Sequence, residues 1–308
     1  MDEDSDSSRS VDNSCEAFIA FQSIRDPSTN LERGICFSWP GIYDDENDLS
    51  PTNDNNNRRE EPRSENELRK IVLSTLLEED DIAPIFDGSR WAGTRLWGAA
   101  IRGIQYIAGH LDAKPDFLPP IRSDPNKGMS MIELGCGLGV PGMIFHLLGG
   151  SVVLTDQANI LSQLVSNVIH NFPKTAVSEG KSCEKLHQDD FTIQAMPLSW
   201  SRDGISDLLS KLNRSDVGFD IVLNCDCVFE PLYGKSWILL NETINELLRV
   251  NPLCTVVTSV ERRQDDGIDS FLEQMVGMEN VGSVEKAWEE KRKDTCIQIY
   301  VTQGIANN

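Results

Sequence analysis

The stretch Met129–Gly142 reads MSMIELGCGLGVPG, an apolar run followed at once by a cluster of glycines. The apolar run predicts a buried strand, and the residues that begin at the end of the cluster, Val140–Leu148, predict a helix. Glycines at such a junction let the backbone turn tightly and come close to a ligand, while the first turn of the helix presents unpaired amides. The stretch therefore predicts a ligand-binding loop at the end of a strand in an α/β protein.

Alternating strands and helices continue towards the C-terminus. Strands are predicted at Ser151–Thr155, Phe219–Cys225, Cys254–Val260 and Cys296–Thr302, with a weaker signal near Leu186, and helices at 160–169, 205–212, 235–250 and 268–276. Apolar strands with helices between them indicate a parallel sheet that is covered on both faces. We therefore expect an α/β fold built on a doubly wound, mostly parallel sheet.

Residues 1–66 differ in composition from the rest of the chain. They hold 16 acidic and 6 basic residues, out of 49 and 28 in the whole sequence, and few apolar residues at regular spacing. A segment of this kind buries too little surface to offset the entropy of ordering. We expect an acidic, largely disordered segment over 1–66 and one domain over 67–308, which opens with amphipathic helices at Glu67–Leu77 and Thr94–Leu111.

The composition argues against several classes of protein. The 308 residues carry a formal net charge of −21 at pH 7, which disfavours nucleic acid and favours a protein partner with a basic segment. No apolar run approaches the ~20 residues of a membrane-spanning helix, and the acidic start does not have the pattern of a secretory signal. Eight cysteines and four histidines show no metal-ligand spacing. We expect a monomer of the cytoplasm, and also of the nucleus, with no metal and no membrane association.

Two cofactors are compatible with the glycine cluster. Gly137-x-Gly139-x-x-Gly142 matches the pattern that binds NAD, and Asp156, at the end of the next strand, suits the ribose of either NAD or S-adenosylmethionine. Glu133 discriminates between them, because a carboxylate is unfavourable beside a pyrophosphate but stabilising beside the cationic amino and sulfonium groups of S-adenosylmethionine. S-adenosylmethionine is therefore preferred.

A second candidate site follows the strand predicted at Phe219–Cys225. Asp226 comes directly after this strand, and the aromatic Phe229 comes three residues later. The carboxyl ends of strands in an open α/β sheet are where ligands bind. The alternative for Phe229 is an ordinary position in the hydrophobic core.

Six motifs occur in a fixed order between Arg90 and Leu240. They are Leu96–Ala100 (LWGAA), Ile132–Gly142 (IELGCGLGVPG), Leu154–Asp156 (LTD), Leu164-x-x-Asn167 with Asn171, Leu198–Trp200 (LSW) and Phe219–Phe229 (FDIVLNCDCVF), with weaker similarity at Arg262, Arg263 and Phe271. In this order they make the chain resemble the lysine methyltransferase branch of the seven-β-strand methyltransferases. The resemblance implies a Rossmann-like sheet of seven strands and S-adenosyl-L-methionine as the cofactor.

The resemblance also implies roles for individual residues. Cofactor contacts are implied for Trp97, Glu133, Gly135, Cys136, Gly137, Gly139, Asp156, Gln157, Trp200 and Cys225. Asp226 opens the family's Asp-x-x-Tyr motif beside the methyl-transfer channel, and Phe229 stands where the family has tyrosine. We predict Asp226 and Phe229 as the catalytic residues, with the carboxylate orienting the acceptor amine and the ring holding a cation by its π face.

The predicted function is S-adenosylmethionine-dependent methylation of a lysine side chain in a non-histone protein. One alternative is an NAD-linked oxidoreductase, although no Tyr-x-x-x-Lys pair accompanies the glycine pattern. The other is a cofactor-binding scaffold with weak catalysis, which the loss of a tyrosine hydroxyl at Phe229 permits.

Overall fold

The computed structural model describes residues 20–25, 32–38, 69–73, 93, 95–113, 129–173, 176–177, 192–291, 293 and 295–305. The strands in these residues are β1 (Ala20–Arg25), β2 (Glu32–Ser38), β3 (Arg69–Val72), β4 (Ser130–Leu134), β5 (Ser151–Asp156), β6 (Ala176–Val177), β7 (Ile193–Pro197), β8 (Ile221–Cys225), β9 (Thr255–Glu261), β10 (Val281–Lys291) and β11 (Cys296–Gly304). The helices are α1 (Gly98–Ala113), α2 (Val140–Leu147), α3 (Leu161–Asn171), α4 (Arg202–Lys211), α5 (Glu230–Tyr233), α6 (Trp237–Val250) and α7 (Ile268–Val276).

The main sheet has the strand order β10-β11-β9-β8-β4-β5-β7-β6. Neighbouring strands from β9 to β6 run parallel, whereas β11 pairs antiparallel with both β9 and β10. The prediction of a doubly wound, mostly parallel sheet of seven strands is confirmed, with the two-residue β6 as an additional edge strand. Because the chain runs outward from the central β4 through β5 and β7 and then crosses to β8, a crevice opens where β4 and β8 end.

Helices cover both faces of this sheet. Helices α1, α2 and α3 pack on one face together with Met131 of β4, and α4, α6 and α7 pack on the other face together with Ile132 of the same strand. Neither Met131 nor Ile132 has exposed surface, and adjacent residues of a strand point to opposite faces. Burial on both faces is thus the reason that β4 reads as a continuous apolar run.

A second sheet is formed by β1, β2 and β3, which are antiparallel. The helix predicted at Glu67–Leu77 is wrong over Arg69–Val72, which form β3 and pair with β2. Pairing with a neighbouring strand and the β-branched side chains of Ile71 and Val72 outweigh the helical spacing of the apolar residues. Within residues 1–66, β1 and β2 are strands, and the largely disordered character of that segment stays a prediction. The division of the chain at residue 66 stays a prediction.

Strand β3 packs against the main domain. Ile71 and Leu73 are buried in the same hydrophobic cluster as α1 and α2. The side chain of Asn171, in α3, accepts a hydrogen bond from the Val72 amide at 2.9 Å and donates one to the Val72 carbonyl at 2.8 Å. This pair of hydrogen bonds ties the last residue of β3 to the end of a helix of the main sheet.

Three strands of the main sheet, β6, β7 and β10, are not predicted from the sequence. β10 lies at the edge of the sheet, where most of its side chains are half-buried or exposed, so it lacks an apolar run. β7 lies beside β5, and the strand expected near Leu186 falls outside the described residues.

In the described ranges, no helix combines the length and the apolar character that crossing a membrane requires.

Candidate active site

A cavity of about 680 Å³ opens at the carboxyl ends of β4, β5, β7 and β8. Ten of the twelve predicted site residues line it, namely Trp97, Glu133, Gly135, Cys136, Gly137, Asp156, Gln157, Trp200, Cys225 and Asp226. The other two, Gly139 and Phe229, are not among the lining residues. The predicted residues therefore converge on one crevice, at the place where an α/β sheet of this topology binds ligands.

The glycine loop has a backbone conformation that favours glycine. Gly135 and Gly137 have φ angles of +64° and +54°, in the left-handed region that L side chains rarely adopt. A Cβ on Gly135 would lie 2.8 Å from Cys227 Sγ, and one on Gly137 would lie 3.0 Å from the carbonyl oxygen of Gly93. The loop is thus packed tightly against Cys227 and Gly93, which line the same cavity.

Gly139 packs against neighbouring elements and does not line the cavity, so a cofactor contact at this residue stays a prediction. A Cβ there would meet Leu164 Cδ1 at 2.6 Å and Leu154 Cδ1 at 3.0 Å. Leu164 belongs to α3 and Leu154 to β5, so Gly139 allows the start of α2 to lie close to both elements. The structure gives Gly139 a packing role, beneath the loop instead of at the cavity wall.

Two buried carboxyl groups hold the loop in place. Glu133, only 1% exposed, accepts a hydrogen bond from the Gly142 amide at 2.8 Å through Oε2. Asp156 accepts one from the Gly137 amide through Oδ2 and one from the Gln157 amide through Oδ1, both at 2.7 Å. We refer to Glu133, Gly135–Gly137 and Asp156 as the glycine-loop side of the cavity. Its carboxyl oxygens bind backbone amides and keep further lone pairs for a ligand.

Burial dominates the electrostatics of the glycine-loop side. Burial raises the pKa of Glu133 to about 8, the Gly142 amide lowers it, and the nearby Asp156 raises it again. Burial likewise raises the pKa of Asp156, against the two amides that lower it. The thiols of Cys136 and Cys227 also have raised pKa values because of burial, so both are neutral at physiological pH. A cationic ligand placed here would stabilise the ionised form of Glu133.

The opposite part of the cavity is formed by Asp226 and Tyr233, with Arg263 and Phe229 as their neighbours, and we call it the Asp226 side. The Asp226 carboxylate is 8% exposed and accepts hydrogen bonds from Arg263, at 2.6 Å from Nη2 to Oδ2 and 3.1 Å from Nη1 to Oδ1. The Glu261 amide donates to Oδ1 as well, at 3.1 Å. Asp226 therefore does not face the cavity as a lone carboxylate, because it pairs with a guanidinium group that also binds the Glu261 carboxylate.

Arg263 also contacts the ring of Phe229. Its guanidinium carbon lies 5.2 Å from the centre of the Phe229 ring and 5.4 Å from that of Trp97. The cation that meets the π face of Phe229 is thus a residue of this chain, in a geometry typical of cation–π contacts. The expectation that this ring holds a ligand cation is not matched by the arrangement of the site.

Tyr233 is one of the cavity residues that the sequence analysis does not identify. It lines the cavity from the end of α5, four residues after Phe229. The candidate Phe229 gives no signal for it, because Phe229 precedes the helix in an extended conformation and does not line the cavity. The helix at Glu230–Tyr233 is also not predicted by the sequence pattern.

Comparisons with known proteins identify the family of the chain. The sequence profile of a family described as lysine methyltransferase matches residues 79–277. Secreted RxLR effector protein 48 of Plasmopara viticola is 38% identical over 135 residues, which are 44% of this chain and 64% of that protein. EEF1A lysine methyltransferase 3 of Xenopus tropicalis is 28% identical over 213 residues, 69% of this chain and 75% of that protein. Protein N-lysine methyltransferase METTL21A of Danio rerio is 25% identical over 155 residues, 50% of this chain and 61% of that protein. The matches thus span less than two thirds of the effector and of METTL21A.

The family profile covers more than half of the chain and includes every strand whose end forms the cavity. It extends from before Trp97 to the end of α7, so both sides of the cavity lie within it. These matches give no support to the NAD-linked oxidoreductase, which is set aside. The chain belongs to the lysine methyltransferase family.

Proposed function

We propose that this protein transfers methyl groups from S-adenosyl-L-methionine to a lysine side chain of a non-histone protein. The observation that carries the proposal is the convergence of ten predicted site residues on one cavity within a chain of this family. Two of the relatives are named as lysine methyltransferases of proteins, one of them of EEF1A. The lysine acceptor is therefore favoured over a histidine or a small molecule.

The cavity fits S-adenosyl-L-methionine, the cofactor of this family, in size and in charge. Its volume of about 680 Å³ lies within the range of small-molecule sites, roughly 300–1,000 Å³. Glu133, buried and with a raised pKa, gains from a cationic group beside the glycine loop. Asp156 has lone pairs left for hydroxyl groups. When bound, S-adenosyl-L-methionine supplies a methyl group on a sulfonium, which is already activated for transfer.

The residues of the chain then have mainly to bind and orient the cofactor and the acceptor, and to exclude water. We assign Glu133 to the amino group of the cofactor, Asp156 and Gln157 to the ribose, and Trp200 to the adenine. In the sheet order β7-β5-β4-β8, these residues lie at the ends of β7, β5 and β4, which supports the assignment. The Asp226 side, above β8, is left for the acceptor. Arg263 lowers the negative potential there, which favours the neutral, nucleophilic form of a lysine amine over its ammonium form.

The partner and the compartment are proposed from charge and cysteine chemistry. A net charge of −21 suits a substrate with a basic segment, bound by a monomeric enzyme. The described cysteines, Cys136, Cys225, Cys227, Cys254 and Cys296, are all free thiols. Free thiols are typical of a reducing compartment, so we place the protein in the cytoplasm, with the nucleus as a second location.

Methyl transfer from labelled cofactor tests the proposal. The purified chain is incubated with S-adenosyl-L-methionine that carries a deuterated methyl group, together with a cell lysate or with purified EEF1A. Mass spectrometry of the digested proteins is expected to find the labelled methyl group on lysine, and Gly137→Val as the matched control is expected to yield none. Label on histidine or only on small molecules would contradict the lysine assignment. Cofactor binding without any label would favour the scaffold alternative.

A further inference from the structure

One polar side chain on the Asp226 side has no partner. Tyr233 is half-buried and lines the cavity, and its hydroxyl makes no hydrogen bond to any described residue. Tyr300 shows the contrast, because its hydroxyl donates to Gln298 Oε1 at 2.7 Å. A hydroxyl at the wall of a cavity without a partner in the fold is available to a ligand.

The backbone around Tyr233 is held firmly. Its amide donates to the Phe229 carbonyl at 2.9 Å, which closes the single turn of α5. The first residue of that turn, Glu230, donates its amide to the Asp266 carbonyl at 3.0 Å and accepts a hydrogen bond from Trp237 Nε1 at 2.9 Å. These contacts join α5 to the segment before α7 and to α6. The Tyr233 ring is therefore presented to the cavity by a fixed turn.

The hydroxyl has the chemistry to bind an amine without charging it. Burial, and then the neighbouring Cys227 and Asp226, raise the pKa of Tyr233, so the phenol stays protonated at neutral pH. A neutral phenol accepts a hydrogen bond from an amine N–H and leaves the nitrogen lone pair free. A carboxylate in the same place would favour the ammonium form, but Asp226 is already occupied by Arg263.

We propose that the Tyr233 hydroxyl, and not the Asp226 carboxylate, binds the acceptor nitrogen. The inference rests on the proposed function and names the residue that orients its nucleophile. The lone pair of the nitrogen forms the N–C bond as the C–S bond breaks, and sulfur keeps the electron pair of the broken bond. The product ammonium then releases its proton to water. Tyr233 takes no proton and acts by orientation alone.

A substrate-free probe tests this role. Sinefungin is an analogue of S-adenosylmethionine with an amine on carbon in place of the methyl sulfonium, so its amine projects towards the acceptor. S-adenosylhomocysteine lacks that group. Calorimetry on the full chain is expected to show that Tyr233→Phe binds S-adenosylhomocysteine within about twofold of wild type but binds sinefungin about tenfold more weakly, the loss of one hydrogen bond to a charged group. The matched control Tyr300→Phe is expected to leave both affinities unchanged.

An unchanged ratio of sinefungin to S-adenosylhomocysteine affinity in Tyr233→Phe would overturn the assignment, whether both affinities stay at the wild-type level or both fall by the same factor. If wild type binds neither ligand, the proposed function itself fails, which separates the two outcomes. The variant removes a hydroxyl that makes no hydrogen bond in the described fold, so its thermal midpoint is expected to match that of wild type.

Discussion

The two sides of the cavity are stabilised in different ways. On the glycine-loop side, Glu133 and Asp156 accept hydrogen bonds from backbone amides that lie within 19 residues of them in the chain. On the Asp226 side, the carboxylate is held by the side chain of Arg263, 37 residues further on. The first side is therefore built from one continuous strand, turn and helix together with the next strand. The second depends on side chains that meet only when distant segments pack together.

The largest effect is expected from disturbing the glycine loop. Gly137→Val puts a branched side chain at a φ of +54° and a Cβ 3.0 Å from the Gly93 carbonyl oxygen. Left-handed strain alone costs about 1–2 kcal/mol, and the clash displaces the loop as well. The affinity for S-adenosylhomocysteine, measured by calorimetry, is expected to fall by at least about a hundredfold.

Gly149→Val is the matched control for the loop. Gly149 has a φ of +88°, but a Cβ there would find no atom within 4 Å, and Gly149 does not line the cavity. It is expected to lower the thermal midpoint while leaving the affinity for S-adenosylhomocysteine intact. Equal binding losses in the two variants would mean that strain anywhere in the domain impairs the site, and the local character of the glycine-loop side would be disproved.

The ion pair on the Asp226 side is expected to give the second largest effect. Arg263→Gln leaves the buried Asp226 carboxylate without its cation, which is expected to lower the free energy of unfolding by about 2–3 kcal/mol. Adding Asp226→Asn to the same chain removes the carboxylate charge that Arg263→Gln leaves unpaired. The double variant is therefore expected to recover about 1–2 kcal/mol of that loss. Chemical denaturation of the four proteins measures the coupling. Additive losses would show that the two side chains do not act as a pair.

The pH dependence of stability sharpens the description of the glycine-loop side. The pKa of Glu133 is about 8 in the folded protein against 4.5 as its ordinary value, so between these values the folded state holds a proton that the unfolded state has lost. The contribution of Glu133 to stability is full below pH 4.5 and is lost as pH rises towards 8. The free energy of unfolding is expected to fall by about 1.4 kcal/mol per pH unit relative to Glu133→Gln, whose neutral amide keeps an oxygen for the Gly142 amide. Denaturation curves at pH 6 and pH 7 measure this slope, and parallel behaviour of the two proteins would contradict the raised pKa.

The smallest effects are expected at Phe229. Its ring contacts the Arg263 guanidinium and does not line the cavity, so Phe229→Leu is expected to lower the free energy of unfolding by only about 0.5–1 kcal/mol. Phe229→Tyr keeps the ring and is expected to leave methyl transfer within about twofold of wild type. A tenfold or larger loss of turnover in either variant, with normal cofactor affinity, would show that Phe229 contributes to the acceptor site.

The residues of the glycine-loop side were predictable because their contacts are local. Glu133, Gly135 and Gly137 belong to one run of sequence, and Asp156 ends the strand that pairs beside it. Arg263 and Tyr233 were not assigned to the site by sequence reasoning. Arg263 meets Asp226 because β8 and β9 pair in a register that sets Cys225 opposite Ser259, which carries the residues after β9 to the end of β8. No pattern within either strand specifies that register.

The sequence by itself determined the doubly wound sheet and the glycine loop. Apolar runs of strand length with helices between them have few other ways to be buried, and glycines at positive φ mark the turn between β4 and α2. Only the tertiary structure decided that Arg69–Val72 form a strand and that Asp226 is paired with Arg263. Both depend on segments that are far apart in the chain, where the energy of strand pairing or of a buried ion pair outweighs the local preference of the residues.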